Sequence, residues 1–288
     1  MLDLKQINES IPGLDQAAQA AAVEHWNSVA KPIGSLGVLE DIVVQIAGLQ
    51  ANEQVDISKR CVIAMCADNG VVAQGVSQSG PEVTTLIADN MRKNISSVCV
   101  MAKTAGIDVI PVDMGMVTPV EGVRDYHITR GTADMTLGPA MTREQALSAI
   151  EAGIDMVAQV RELGYKLVVS GEMGIGNTTT SSAVASVLLG RSVEEMTGVG
   201  AGLTSAGLAR KIDAIKRAIE LNQPDADDAI DVLAKVGGYD IAGITGLFIG
   251  GALYGIPVLI DGFISAVAAL IAKRVCPACS CAMIATHV

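Results

Sequence analysis

A chain of 288 residues, half of them hydrophobic but only 2% aromatic, can bury one large core, and Ala, Val, Ile, Leu and Gly must fill it. Small side chains and frequent glycine suit helices packed closely on a parallel sheet. A net charge of −11 excludes the cationic face that nucleic acid or an anionic membrane needs, so neither is an expected partner, and any phosphate ligand must be held by local geometry.

No basic-then-apolar leader opens the chain, and a cytoplasmic protein is expected. Asp15–Trp26 reads as an Ala-rich helix, and Leu36–Gln50 carries apolar residues at helical spacing. Arg60–Ala67 reads as a strand ended by the turn signature Asp68-Asn69-Gly70. One long helix is predicted over Pro81–Ala105, with proline near its first turn, then a strand over Ile107–Val112 ended by Asp113-Met114-Gly115. Thr142-Arg143-Glu144-Gln145 resembles a capping box opening a helix to about Leu163. A strand over Tyr165–Ser170 and a helix over Ser182–Leu189 follow. Ser192 heads a second capping box; Ser205–Asn222 and Asp225–Lys235 read as amphipathic helices. Ile241–Ile260 carries no charge, but aspartates flank it, no Lys or Arg anchors it, and it contains five glycines and Pro257. A buried helix, a turn at Tyr254-Gly255 and a strand over Ile256–Ile260 fit better than a membrane span, and another helix follows Asp261-Gly262. Strands alternating with helices of this length predict an α/β fold, a doubly wound, mostly parallel Rossmann-like sheet flanked by helices.

The stretch Gly171 to Ser182, GEMGIGNTTTSS, lies between a buried strand and a helix. Glycines let the backbone approach a ligand closely, and free amides of a first helical turn favour an anion, most naturally phosphate. A carboxylate at Glu172 would repel that anion, so it suits a sugar hydroxyl or a cationic ring. Acidic residues recur at strand ends, Asp68, Asp113, Glu172 and Asp261, and ligands of such sheets bind at that edge. A second glycine run, Gly198-Val199-Gly200-Ala201-Gly202, precedes Arg210-Lys211; it follows no strand directly and is not a dinucleotide fingerprint. Lys211 alone reads as a solvated helix residue, and nearness to a phosphate site is what would change that. Asp113 and Asp261 suit helix caps as well as ligands. His25, His127 and His287 have no partner pattern, so no catalytic triad is supported. Cys61, Cys66 and Cys99 read as core thiols, and Cys276-Pro277-Ala278-Cys279-Ser280-Cys281 as reduced structural thiols rather than a metal site.

Taken together, Lys31–Glu40 (KPIGSLGVLE), Ala67–Val72, Gly75–Ser77, Gly171–Ser182, Gly198–Leu203, Asp240–Gly243 and Asp261–Ser265 resemble the nicotinate-nucleotide:dimethylbenzimidazole phosphoribosyltransferase family of cobamide lower-ligand activation. The resemblance implies a pentosyltransferase that moves ribose 5-phosphate from nicotinate mononucleotide to 5,6-dimethylbenzimidazole or a related base, in cobalamin biosynthesis, with no cofactor and no metal. It implies that Gly174, Gly176, Asn177 and Thr178 surround the nucleotide, that Lys211 approaches its phosphate, and that Glu172 assists beside the ribose. Loop residues from Ser77 to Pro81, with Met173, would bound the aromatic base. It also implies a homodimer, and a small helical domain to which residues 1–27 contribute beside a nucleotide-binding domain over 28–288. The family's general-base glutamate would lie past Val288, as would the remaining helices of the small domain, so the 288-residue polypeptide is expected to turn over little. Two other readings stand beside this one: a subunit of a paralogous heterodimer that activates phenolic bases, and a catalytically silent nucleotide-binding subunit.

Overall fold

The computed structural model describes residues 2–287. Helices α1 (Leu4–Ser10) and α2 (Gln16–Ser28) each open on an aspartate, Asp3 and Asp15, whose carboxylate accepts a first-turn amide. α2 packs along α3 (Val38–Gln50), and the amide of Asp15 donates to Gly48 O at 2.9 Å. Strand β1 (Arg60–Ala67) lies where the apolar run predicts it and is buried on both faces. Cys61, Ile63, Met65 and Ala67 join the larger core, while Ala64 and Cys66 join a smaller one with Ala88, Met91 and Cys99. That alternation is what a strand with helices on both sides requires.

The predicted long helix over Pro81–Ala105 is two helices, α4 (Glu82–Arg92) and α5 (Ser97–Ala105). Asn94 takes a left-handed conformation (φ 58°), and Ser96 caps the new helix by accepting the Cys99 amide. Asparagine tolerates that conformation and serine favours the N-cap, so two local signals outweigh the continuous apolar spacing. Strand β2 (Ile107–Gly115) runs three residues past its predicted end, and β3 (Arg124–Asp125) is a short edge. The Thr142 capping box forms as read and opens α6 (Arg143–Glu162).

Strand β4 (Leu167–Met173) begins and ends later than predicted, and α7 (Asn177–Leu189) starts five residues before Ser182. Its hydroxyls bond back along the helix, Thr180 to Asn177 O, Ser182 to Thr178 O and Ser186 to Ser182 O, so a run suited to loops is held helical and buried. The capping box at Ser192 opens the single turn α8 (Val193–Met196). Helix α9 (Ser205–Asn222) has its predicted limits, while α10 (Ala229–Val236) starts later than Asp225, where Asp228 supplies the cap.

The uncharged stretch is helix α11 (Tyr239–Tyr254), ended by left-handed Gly255, then β5 (Val258–Ile260). α11 is buried from Tyr239 to Ala252 inside the core, so its apolar surface serves packing rather than an interface. Among the described residues no helix is long and apolar enough to cross a membrane. Helix α12 (Phe263–Val275) and strand β6 (Met283–Ala285) complete the order β3-β2-β1-β4-β5-β6, with every pair parallel. The order reverses between β1 and β4, and the carboxyl ends of those strands are where an open α/β sheet leaves a crevice.

Candidate active site

The crevice is built on the segment after β4. Gly176 caps α7 with φ 94°, a conformation that costs a side chain, and a Cβ there would come 2.7 Å from Val72. A Cβ at Gly174 would lie 2.6 Å from Ala67 O and would overlap Asp240. The loop therefore sits directly on the end of β1. The free first-turn amides expected from the sequence are largely used up. Ile175 N donates to Thr84 Oγ1 at 3.2 Å, Asn177 N to Gly174 O at 3.0 Å and Thr179 N to Gly176 O at 2.9 Å. One residue further on, the Thr178 side chain lines a cavity.

Lys211 comes off α9, whose N-terminus is fixed by Thr204. Its side chain is fully buried, not solvated, and Nζ donates to Thr178 Oγ1 at 2.8 Å and Gly198 O at 3.3 Å. Gly200 (φ 55°) lies against both groups, since a Cβ there would be 3.1 Å from Thr178 Oγ1 and 3.4 Å from Lys211 Nζ. A cavity of about 450 Å³ opens here, lined by Thr178, Ser182, Gly198, Gly200, Lys211 and Phe263. Burial lowers the Lys211 ammonium to about 8; Glu195 also lines this pocket but its carboxylate is engaged by Ser192, and among the described residues Lys211 forms no ion pair.

A second cavity, of about 510 Å³, lies against β1 and β4 under α4 and is lined by Val62, Ile87, Met91, Met173, Glu172 and Asp261. Apolar walls and two carboxylates suit a flat, weakly basic ring. Burial pushes Glu172 above its ordinary range and the charge of Asp261 adds to this, against the hydrogen bond from Asn177. Asp261 and Phe263, two residues apart, line the two cavities.

The residues implied by the resemblance thus fall into groups. Glu172 and Met173 line one cavity, and Thr178 and Lys211 the other. Gly174, Gly176 and Asn177 form the turn between them, and Asn177 donates to Glu172 Oε2 at 2.5 Å. Ser77 and Pro81 line neither cavity; Ser77 Oγ accepts Ser79 N, and Pro81 heads α4. Between them Gln78 donates to Gly202 O, tying that loop to the glycine run. Asp113 is structural, accepting the amides of Gly115 and Met116 and pairing with Arg130 at 2.8 Å. Asp68 Oδ2 accepts Val117 N at 2.7 Å.

Sequence reasoning gave no role to Asp240, which is fully buried and accepts from Asn177 Nδ2 at 3.0 Å. An acid at the head of a 20-residue uncharged stretch was its only mark. Cys276 and Cys279 are buried, Cys281 is half-buried, and all six cysteines are free. Among the described residues no three His, Cys, Asp or Glu side chains are grouped as a cation requires.

Residues 11–288 match the phosphoribosyltransferase family DBI_PRT. The nicotinate-nucleotide–dimethylbenzimidazole phosphoribosyltransferase of Clostridium acetobutylicum is 44% identical over 288 residues, covering 99% of this chain and 82% of that protein. The enzyme of the same name from Acetivibrio thermocellus is 48% identical over 276 residues, covering 95% and 79%. The crystal structure of the Thermus thermophilus enzyme superposes with a TM-score of 0.87 at 32% identity, over 95% of this chain and 82% of that one.

Proposed function

The chain belongs to the nicotinate-nucleotide–dimethylbenzimidazole phosphoribosyltransferase family, and we propose that it moves ribose 5-phosphate from nicotinate mononucleotide to a benzimidazole-type base, giving nicotinate and an α-ribazole phosphate. The observation that carries this is the buried Lys211, in no ion pair among the described residues, facing Thr178 in a glycine-lined cavity, next to a second cavity whose strand-end carboxylate suits a cationic ring. Phosphate supplies the charge that Lys211 lacks. The ribose then bridges toward Glu172, and Met173 and the apolar wall receive the base.

The chemistry needs little from the protein beyond placement. As a nitrogen of the incoming base bonds to C1′, the C1′–N bond to nicotinate breaks, and the pyridinium nitrogen takes the electron pair. The leaving group needs no proton, and the oxocarbenium character that develops is stabilised by an adjacent carboxylate. Attack from the opposite face turns a β-nucleotide into an α-nucleotide. The ring proton of the base must go to a carboxylate. Glu172 is an assisting carboxylate here rather than that base, because Asn177 already engages it. Asp240 is sealed from solvent. A cytoplasmic homodimer goes with this reading, supported by six free cysteines and by the exposed run Ile33, Leu36, Val38 and Leu39. So does the division into a helical unit over 1–27, which holds α1 and nearly all of α2, and a nucleotide-binding unit over 28–288.

Calorimetry with nicotinate mononucleotide, run beside an assay of nicotinate release with dimethylbenzimidazole, tests the assignment. The chain is expected to bind the nucleotide, and Glu172→Gln to weaken it about tenfold through loss of a charge-assisted contact. Unchanged affinity in that variant would remove Glu172 from the site, and no binding by the wild type would remove the function.

A further inference from the structure

Asn177 uses both hydrogens of its amide on carboxylates, donating from Nδ2 to Glu172 Oε2 at 2.5 Å and to Asp240 Oδ2 at 3.0 Å. Only Glu172 of the pair reaches a cavity; Asp240 is wholly enclosed. The groups facing Asp240 are Glu172 from β4, the Cys66 thiol from β1, the Asn177 amide from α7 and Asn69 from the loop after β1. No lysine, arginine or histidine contributes to its surroundings. Two buried carboxylates bridged by one neutral amide, with no cation, is an arrangement that costs several kcal/mol if both are ionised.

A second observation concerns the other oxygen of Asp240. Oδ1 accepts its neighbour's amide, Ile241 N, at 3.0 Å. The buried Asn69 Oδ1 has no hydrogen-bond partner, and a Cβ at Gly238 would lie 2.5 Å from both that atom and Asp240 Oδ1. Two acceptors thus face one spot with no donor between them. A buried acceptor without a donor is costly, and a proton carried by Asp240 provides one.

We propose that Asp240 is a positioning residue, held as the neutral acid, that fixes the Asn177 amide and through it aims the Glu172 carboxylate at the ribose. The inference rests on the proposed function for its ligand, but the pair itself is a property of the free protein. Burial and the nearby Glu172 charge push Asp240 up to about 7, against the hydrogen bond from Asn177, so it keeps its proton while Glu172, which lines the cavity, takes the negative charge. The pair then presents one charge, in one orientation and beside Asp261 in the same cavity, to a substrate carrying a single cationic ring. When Asp240 ionises above that value, a second negative charge enters the pair.

Carbon-13 NMR of the aspartate carboxyls in the free 288-residue protein reads the pair without any ligand. The Asp240 resonance is expected to titrate near 7 and to move when Asn177 is replaced by alanine. An Asp240 titrating in the ordinary aspartate range would overturn the inference. Calorimetry with nicotinate mononucleotide then separates positioning from shape. Asp240→Leu, folded by thermal melt, is expected to weaken binding about tenfold or more, and Asp240→Asn to recover most of that loss, since an amide can accept from Asn177 and donate to Asn69. Wild-type affinity falls as pH rises through 7, ahead of the loss that follows Lys211 deprotonation near 8, and Asp240→Asn lacks the first inflection while keeping the second, a change that a merely structural residue would not produce. Equal affinity for wild type and Asp240→Leu, or an unchanged inflection in Asp240→Asn, would sink the proposal. A wild type that binds no nucleotide would instead strike the functional reading and leave the NMR result to judge the pair.

Discussion

Lys211 shows what a single residue costs and what it provides. Burying an ammonium with only a hydroxyl and a carbonyl for company destabilises the charged form, which is why it falls to about 8. Folded Lys211 releases its proton near pH 8, whereas in the unfolded chain it holds on to about 10.5. More protons are bound in the unfolded state across that window, so stability rises with pH there, and the rise is absent below it. Lys211→Met, close in shape and uncharged, is expected to lose that rise, to melt higher than wild type at pH 7, and to weaken nicotinate mononucleotide binding by the ~1.5–3 kcal/mol of a charge-assisted contact. Calorimetry at pH 7 and 9.5 checks both halves. A variant that binds as tightly as wild type would place the phosphate elsewhere. Of this residue the sequence showed only a lysine after a glycine run. Its burial depends on α9 being laid across the end of α7, a contact no local pattern encodes. Asp240 was hidden for the same reason, because its partner Asn177 is 63 residues away.

Secondary-structure elements were far more legible, since their signals are local. Both capping boxes, the limits of β1 and α9, and the left-handed stop at Gly255 stand in the sequence as turn and cap chemistry. Misread boundaries occur where tertiary packing overrides propensity, as at the hydroxyl-rich start of α7, or where the signals were present but passed over, as at Asn94 and Ser96. The contact of α6 with α11 shows packing at its tightest. A Cβ at Gly246 would overlap Ile150 O and lie 2.8 Å from Gly153 Cα, and one at Gly153 would overlap Gly243 O. The helices touch backbone to backbone. Alanine is a better helix former than glycine by about 1 kcal/mol, but a methyl forced against main chain costs about 1–3 kcal/mol and has no side chain to push aside. With main chain on both sides the clash takes the upper part of that range, and Gly246→Ala and Gly153→Ala are each expected to lower stability by up to about 2 kcal/mol net. Chemical denaturation checks this; a variant at or above wild-type stability would show that the helices can separate without loss.

At the scale of the molecule, topology decides where function can be. The strand order reverses between β1 and β4, and the GEMGIGN segment ends β4 and opens α7, so the longest motif and the crevice coincide. Composition foretold the α/β class, and alternation foretold the parallel sheet, but neither could say that the loop at Ser77–Pro81 would meet the glycine run 198–203 through Gln78. That contact makes the site a junction of two loops over a rigid floor. β1 and α11 are buried throughout most of their length and β4 is bonded between β1 and β5, so their amides open only when the whole molecule does, whereas the two loops open locally. Nicotinate mononucleotide at about a hundred times its dissociation constant adds about 2.7 kcal/mol to any opening that must release it, roughly a hundredfold slowing of exchange. Hydrogen exchange is therefore expected to slow in residues 198–203 and 75–81 and at the start of α7. Slowing is not expected at the opposite edge of the sheet, around Arg161 and Lys166, where a polar cavity of about 400 Å³ also lies. Protection confined to that edge would mean that the nucleotide follows positive charge rather than topology, and the crevice would lose its ligand.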